Sequence, residues 1–209
     1  MTMPQARKAI EAVVFDIGGV LVRTLDWTPR ARWEQRLGLP ERGLSALVFD
    51  SRQAMLASIG QASDEDIWRN VATHLRLSDQ QLADLRRDVW AGDVANTAMI
   101  TYLRRLRPSY KTGILSNAWP EMRQLNESRF GLPDAVDHAI YSFEIGVLKP
   151  APEAYAAIVD RLSVQPHNAV FVDDSAVNIE GARKVGLQVV HFSDTGQAID
   201  ELNRLLAER

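Results

Sequence analysis

Near its amino terminus the chain reads Ala12-Val13-Val14-Phe15-Asp16-Ile17-Gly18-Gly19. Four apolar residues are followed directly by a carboxylate and, after one more residue, by two glycines. A continuous apolar run, rather than an alternating one, is typical of a strand that is covered on both faces, as in a parallel sheet packed between helices. We therefore predict that Ala12–Phe15 is the first strand of such a sheet and that Asp16 lies at its carboxyl end.

Similar short apolar runs recur later in the chain, and helical patterns lie between most of them. One of these helices is predicted behind Pro152, a favourable first-turn residue, because Tyr155, Ile158 and Leu162 follow helical spacing. Alternation of strands and helices predicts an α/β protein with a doubly wound parallel sheet. The further predicted strands are Thr112–Leu115, Ala139–Tyr141, Ala169–Val172 and Gln188–Phe192.

The interval from about Leu25 to Asn96 breaks this alternation, since it reads as helix after helix with no convincing strand. Ser63 opens one helix with Asp66 three residues on, and Ser78 with Gln81 resembles a capping box. We predict an inserted helical cap over residues 23–96 and a core formed by residues 1–22 and 97–209. Extra helices packed directly on the sheet are the alternative.

Bulk composition narrows the class of protein. A length of 209 residues suits one core domain and a small second lobe. The net charge of -3 provides no basic field for nucleic acid or an anionic membrane, and the lack of cysteine excludes disulfides, a zinc–thiolate site and a cysteine nucleophile. With no apolar stretch suited to a signal peptide or a membrane span, we expect a cytoplasmic protein without nucleic-acid or membrane partners. The oligomeric state is left open.

Polar residues follow several of the predicted strands at their carboxyl ends, where an open parallel sheet binds its ligands. The three carboxylates among them would repel one another unless a cation were present. Lys149, in the loop after the third core strand, neutralises one charge, and magnesium, which favours carboxylates and phosphate oxygens, suits the rest. Two glycines there would let backbone N–H groups approach an anion. The strand-end residues are Asp16, Gly18, Gly19, Ser116, Asn117, Asp173 and Asp174.

Each of these residues also has a simpler interpretation. Asp173 or Asp174 could cap a helix, and a lone lysine such as Lys149 is usually solvated. Ser116-Asn117 and Gly18-Gly19 could be ordinary turn residues. Only their joint placement favours a phosphate site.

Four ordered motifs resemble the haloacid dehalogenase-like hydrolase superfamily, and the resemblance covers nearly the whole chain. They read Val13-Val14-Phe15-Asp16-Ile17-Gly18-Gly19-Val20-Leu21, Ile114-Leu115-Ser116-Asn117, Lys149-Pro150 and Phe171-Val172-Asp173-Asp174-Ser175, with Asn178-Ile179-Glu180-Gly181-Ala182-Arg183 behind the last. The nearest branch resembles glucose-1-phosphate phosphatase and the phosphatase domain of mammalian soluble epoxide hydrolase.

The resemblance implies a Rossmann-like core with a helical cap, and a magnesium-dependent phosphatase acting on a small phosphorylated metabolite such as a sugar phosphate. It implies that Asp16 attacks phosphorus to form an aspartyl-phosphate and that Lys149 steadies nucleophile and phosphate. It assigns phosphoryl oxygens to Ser116 and Asn117. Magnesium would be held by Asp16, Asp174 and the Gly18 carbonyl, with Asp173 beside them or behind Asp174.

Gly18 departs from the pattern, because phosphatases of this superfamily usually carry aspartate two residues after the nucleophile. That aspartate protonates the leaving alcohol and later activates water, help that is typically worth about 10²–10⁴-fold. A carboxylate of the cap, a histidine or the substrate could take over, or the leaving group could depart without an acid. The nearest branch resembles this chain in having glycine there.

Three other functions would each explain part of the pattern. A 2-haloacid dehalogenase needs no leaving-group acid, but such enzymes use no metal and lack the pair Asp173–Asp174. A non-catalytic regulatory protein on the same scaffold would explain Gly18 but not the other retained residues. The segment from Asp16 to Gly19 also resembles the first phosphate loop of actin-like sugar kinases, yet no glycine-rich partner loop follows.

Tryptophans are a further feature of the predicted cap. Trp27, Trp33, Trp68 and Trp90 lie in it, and Trp119 follows the second motif. Tryptophan is buried on average, so we expect mainly core residues. A cleft lined by Trp27 or Trp119 would favour a ring-bearing substrate.

Overall fold

The computed structural model of the chain describes residues 10–207. Five strands form a parallel sheet in the order β5-β4-β1-β6-β7, and β2 pairs with β3 in an antiparallel ribbon. Each predicted core strand is confirmed to within one residue at either end. In chain order the strands are β1 (Ala12–Phe15), β2 (Val22–Thr24), β3 (Asp93–Ala95), β4 (Lys111–Ser116), β5 (His138–Tyr141), β6 (Ala169–Asp173) and β7 (Gln188–His191).

Helices connect the parallel strands and cover both faces of the sheet. They are α1 (Thr28–Leu37), α2 (Gly43–Phe49), α3 (Arg52–Ala57), α4 (Asp64–Leu75), α5 (Asp79–Val89), α6 (Thr97–Leu106), α7 (Pro120–Phe130), α8 (Ser142–Ile145), α9 (Pro152–Leu162), α10 (Ala176–Lys184) and α11 (Thr195–Ala207). Single 3₁₀ turns occur at Pro133–Ala135 and Pro166–Asn168.

Alternate residues of β1 enter different hydrophobic layers. Val13 and Phe15 pack with apolar residues of α6 and α11, whereas Ala12 and Val14 pack with those of α9 and α10. A strand that is buried on both faces has no polar side to alternate with, which explains the continuous apolar run. The doubly wound, Rossmann-like α/β fold predicted from the sequence is confirmed.

Helices α1 to α5 lie between β2 and β3 and share a third hydrophobic cluster, which contains Trp33, Trp68 and Trp90. The helix predicted to begin at Ser63 and the capping box predicted for Ser78 with Gln81 are both present, and Ser63 also forms a capping box with Asp66. Trp119 and Met122, from the chain beyond β4, join the same cluster. The helical block therefore packs directly on α7.

The expectation of no strand between Leu25 and Asn96 was wrong, because β3 begins at Asp93. Val22 pairs with Ala95 and Thr24 with Asp93, so the predicted boundary between residues 22 and 23 falls inside β2. Three residues are too few to show a period, and their partner lies about 70 positions away. The division into core and cap at the stated boundaries remains a prediction.

Within residues 10–207, no helix combines the length and the apolar composition needed to cross a membrane.

Candidate active site

Asp16 lies where β1 ends, between the ends of its two neighbouring strands. Its backbone N–H donates to the Val172 carbonyl at 2.9 Å, and β1 pairs Phe15 with both Ile114 and Val172. Ser116 and Asp173 are the last residues of β4 and β6. The parallel register thus brings the three predicted strand-end residues to one edge of the sheet.

Lys149 reaches into this edge from the loop before α9. Its Nζ lies 2.8 Å from Asp16 Oδ1 and 2.7 Å from Asp173 Oδ2, and its side chain is only 1% exposed. Removing a lysine from water is costly unless opposite charges surround it. The two carboxylates supply that compensation, and the interpretation of Lys149 as a solvated surface lysine is excluded.

The side chain of Asn117 has a structural role that the sequence did not predict. Its side-chain amide donates to the Lys149 carbonyl at 2.9 Å, and its Oδ1 accepts the Lys149 backbone N–H at 2.8 Å. Both polar atoms of the side chain are therefore used to position the lysine loop. The predicted contact of Asn117 with phosphate remains a prediction, and Ser116 and Asn117 both line the cavity above Asp16.

The surroundings of Asp16 stabilise the charged form of its carboxyl group only weakly. Burial raises its pKa, the Lys149 ammonium lowers it, and the Asp173 carboxylate raises it again, so that the pKa is about 6. A nucleophilic carboxylate with a raised pKa is less stabilised by its surroundings than an exposed one.

Asp173 and Asp174 differ sharply in their surroundings. Asp173 is fully buried, and its oxygens accept hydrogen bonds from Lys149 Nζ, the Ser175 N–H and the Asn178 amide. Asp174 as a whole is exposed. Its pKa is nevertheless raised, first because part of the carboxyl group is buried and second because the Asp173 carboxylate lies nearby. The helix cap of α10 is Ser175, so neither aspartate occupies that position.

One oxygen from each of Asp16, Asp173 and Asp174 lies within 4.8 Å of the other two. Three carboxylates in such proximity repel unless a cation joins them, and all-oxygen donors suit magnesium. The acceptors of Asp173 are already occupied, so Asp16 and Asp174 are the side chains that can turn to a metal. The residues present fit a divalent cation.

The two glycines after Asp16 have separate tasks. Gly19 has φ +76°, and a Cβ there would come within 2.0 Å of Asp174 Oδ2, so only glycine allows Asp174 this close to the backbone. The Gly19 N–H donates to the Val22 carbonyl at 2.9 Å. Its predicted contact with phosphate is therefore not supported. Among residues 10–207 no hydrogen bond uses the Gly18 N–H, which leaves this donor for an anion.

The structure also shows what surrounds Gly18, the position where phosphatases of this superfamily usually carry an aspartate. A Cβ on Gly18 would meet no atom within 4 Å. The position that the Cβ of an aspartate would occupy is therefore open.

A cavity of about 230 Å³ extends from Asp16 and Lys149 towards the helical block. Of the tryptophans, Trp90 lines it, whereas neither Trp27 nor Trp119 does. Its apolar walls are Val22, Phe49, Trp90, Met122, Leu125 and Phe130. Such mainly apolar walls with a few placed polar groups are typical of small-molecule sites.

Sequence reasoning missed a polar cluster in the lining of this cavity, formed by Thr24, Arg30 and Asp93. Asp93 Oδ1 accepts a hydrogen bond from Thr24 Oγ1 at 2.6 Å and lies 3.3 Å from Arg30 Nη2. The three residues come from β3, β2 and α1, and their separation along the chain leaves no local signal. Antiparallel pairing of Thr24 with Asp93 brings them together.

A doubly wound fold, a carboxylate after the first strand, a buried lysine and an acidic pair define a hydrolase of one family. The chain belongs to the haloacid dehalogenase-like hydrolases, since the model of that family matches residues 10–186.

Two relatives illustrate the range of proteins that the chain resembles. A phosphatase of Mycobacterium tuberculosis is 32% identical over 212 residues, which cover 95% of this chain and 94% of the relative. Bifunctional epoxide hydrolase 2 of Sus scrofa is 26% identical over 215 residues and 94% of this chain, but the chain spans only 39% of that protein's length.

Solved structures agree on the fold. A HAD-like family hydrolase from Porphyromonas gingivalis superposes with a TM-score of 0.78 at 23% identity, covering 97% of this chain and all of that one. A HAD family enzyme from Bacteroides thetaiotaomicron, solved with magnesium and inorganic phosphate, gives a TM-score of 0.71 at 21% identity, covering 87% of this chain and 93% of that one.

Proposed function

We propose that the protein is a magnesium-dependent phosphatase that hydrolyses a small phosphate monoester through an aspartyl-phosphate on Asp16. The observation that carries this proposal is the position of Asp16 beneath the cavity, in contact with Lys149 and close to Asp174. The phosphatase relative that is aligned over nearly its whole length supports the same reaction class.

Lys149 and Ser116 hold the transferring group in this mechanism. The ammonium already contacts Asp16 Oδ1 and offers positive charge to a phosphoryl oxygen, while the Ser116 hydroxyl and the Gly18 N–H provide neutral donors. Asn117 fixes the lysine loop through its two backbone hydrogen bonds. Positioned charge and donors of this kind supply most of the catalysis of phosphoryl transfer.

The covalent steps follow from this placement. An Asp16 oxygen attacks phosphorus, the bond from phosphorus to the ester oxygen breaks, and the alkoxide leaves with the electron pair. The alkoxide then takes a proton from water. In the second step water attacks phosphorus, and the bond from phosphorus to the Asp16 oxygen breaks with its electron pair returning to the Asp16 carboxylate. The proton that the attacking water loses neutralises the hydroxide formed in the first step, and inorganic phosphate is released.

Magnesium would be held by Asp16, Asp174 and the Gly18 carbonyl, with Asp173 orienting Lys149 from behind. When bound, the ion neutralises negative charge on the carboxylates and the phosphoryl oxygens. Because Gly18 leaves open space, the chain offers no acid at that position, and alcohols that leave readily are favoured as substrates.

The test uses the purified protein with p-nitrophenyl phosphate. We expect hydrolysis with magnesium and its loss on chelation, and we expect D16N to be inactive while it keeps its fold, as a cooperative unfolding transition and an unchanged circular dichroism spectrum would show. D84N, which removes a surface carboxylate that pairs with Arg87, is the control and should retain activity. Acid quenching during turnover should trap a phosphorylated wild-type protein that releases phosphate at high pH. An active D16N protein would overturn the proposed nucleophile.

The dehalogenase alternative makes the opposite prediction about metal. A 2-halo acid would bring its own carboxylate next to Asp16, Asp173 and Asp174, where like charges repel. Release of chloride from 2-chloropropionate in a chelator would support that alternative. Failure on a broad panel of phosphate esters with magnesium would instead favour a non-catalytic protein.

A further inference from the structure

A second cavity, of about 300 Å³, adjoins the cavity above Asp16. The two cavities share three lining residues, Phe49, Asn117 and Met122, so that one wall separates them. Phe49 is the last residue of α2, and Met122 lies in the first turn of α7. A molecule that is bound at Asp16 and is long enough would pass these side chains to enter the second cavity.

The second cavity is lined mainly by apolar side chains. Its polar lining residues are Ser58 and Asn117, and both polar atoms of the Asn117 side chain are already bound to the Lys149 backbone. Met55 also lines this cavity and is 51% exposed, although its side chain is apolar. Exposed apolar surface beside a cavity is typical of a ligand site. The apolar lining residues are Phe49, Met55, Trp119, Met122 and Leu148.

Much of the polar lining of the cavity above Asp16 is engaged within the protein. Asp93 accepts a hydrogen bond from Thr24 and pairs with Arg30. The Asn178 amide donates to both carboxylate oxygens of Asp173. These groups have protein partners already, whereas the apolar walls gain by the exclusion of water. Both cavities therefore favour an apolar ligand beyond the phosphate group.

The glycine at position 18 adds a chemical condition. A Cβ on Gly18 would meet open space, and the chain offers no acid there to protonate a leaving alcohol. An alcohol that departs readily as its anion, such as a phenol, needs no such acid. An apolar alcohol that leaves readily meets both conditions.

We infer that the substrate is the phosphate monoester of an apolar alcohol, whose far end passes Phe49 and Met122 and occupies the second cavity. This inference rests on the proposed phosphatase function and names its substrate class. It differs from the sugar phosphate that the resemblance to known phosphatases implies. A sugar would bring hydroxyl groups against apolar walls, and a hydroxyl group that is buried without a partner is costly.

The test uses 4-alkylphenyl phosphates with unbranched chains of increasing length, below the concentrations at which they form micelles. The alkyl chain barely changes the acidity of the phenol, so the leaving group stays the same throughout the series. We expect kcat/KM of the wild type to rise about twofold or more for each added methylene that is buried. A hydroxyl group at the end of the chain should remove most of this gain, because it would be buried without a partner.

A variant of Met55 tests the second cavity alone, since Met55 does not line the cavity above Asp16. M55E places a charge in the lining of the second cavity. We expect M55E to match the wild type with p-nitrophenyl phosphate and with short chains, and to fall below it with long chains. L25E, which replaces an exposed apolar residue that lines neither cavity, is the matched control and should follow the wild type at every length.

A kcat/KM that does not change with chain length, or that rises when the chain ends in a hydroxyl group, would overturn the inference. An M55E protein that follows the wild type at every length would show that the second cavity is not used. The wild-type series tests the substrate class even if M55E fails to fold. Hydrolysis of p-nitrophenyl phosphate by the wild type and its loss in D16N test the phosphatase function separately.

Discussion

Gly19 and Asp174 lie so close together that a Cβ on Gly19 would come within 2.0 Å of Asp174 Oδ2. The preceding residue, Gly18, has no atom within 4 Å of the corresponding position. The two adjacent glycines can therefore be substituted as a matched pair. Gly19 lies next to the acidic residue proposed to bind metal, and Gly18 faces open space.

We predict that G19A displaces Asp174 and weakens magnesium binding, so that a higher magnesium concentration is needed for half-maximal activity. A shift of about 1 Å at a catalytic group can cost on the order of 100-fold in rate, and the positive φ of Gly19 adds strain. G18A should change kcat/KM much less, because its methyl group meets open space. Magnesium titrations of kcat/KM with p-nitrophenyl phosphate measure both variants. Equal titration curves for G19A and the wild type would contradict the role given to Asp174.

The open space beside Gly18 gives a second prediction. G18D introduces a carboxylic acid where phosphatases of this family usually have one, and its Cβ would meet no atom within 4 Å. For alkyl phosphates, which leave poorly without a proton, we expect kcat to rise by about tenfold or more, within the range of general acid catalysis. For p-nitrophenyl phosphate the change should be small. G18N has the same shape but cannot act as the acid, so equal rates for G18D and G18N would show that the proton is handled elsewhere.

The third prediction concerns the two hydrogen bonds between Asn117 and the Lys149 backbone. N117A removes both hydrogen bonds to the Lys149 backbone, so the ammonium loses its fixed position while its charge remains. We expect kcat/KM for p-nitrophenyl phosphate to fall by roughly 10- to 100-fold. N203A, which removes an exposed asparagine bonded to Tyr102, is the control and should retain activity. An unimpaired N117A protein would show that the lysine loop needs no such support.

The strand-end residues could be predicted from the sequence because the parallel sheet places them by rule. Asp16, Ser116 and Asp173 each follow an apolar run, and parallel strands bring such ends together. Asn117 was identified, but its side-chain contact with the Lys149 backbone was not predicted, since the pattern shows which residue follows β4 but not which way its amide turns. Lys149 lies 32 residues away along the chain.

Asp93 and Thr24 show why this polar part of the cavity lining was missed. They are 69 residues apart and lie in strands of three residues each, too short to give a period. Their proximity depends on how five intervening helices pack, which is a property of the tertiary structure. Gly18 is the reverse case. The sequence shows that the usual aspartate is absent, but only the structure shows that no atom lies within 4 Å of the place where its Cβ would be.

The last prediction concerns stability, at a site far from the chemistry. Asp137 Oδ2 accepts the Thr112 N–H at 2.8 Å and the Thr112 hydroxyl at 3.1 Å, and its Oδ1 accepts Arg107 Nε at 3.1 Å. Burial raises the pKa of Asp137, but these hydrogen bonds outweigh it and hold the pKa below its usual value. The contacts join the residue before β5 to β4 and to the end of α6.

A carboxylate whose pKa is lowered by folding stabilises the protein above its unfolded pKa of about 4, and this contribution is lost as the pH falls through the lower, folded value. We predict that the wild type exceeds D137N in free energy of unfolding near neutral pH by roughly 0.5–1 kcal/mol, a small amount because the side chain is partly exposed. The gap should narrow once the pH falls below about 4. Urea unfolding of both proteins over this pH range measures it, and all other titrating groups cancel in the difference. A gap that does not change with pH would show that Asp137 contributes through shape and not through its charge.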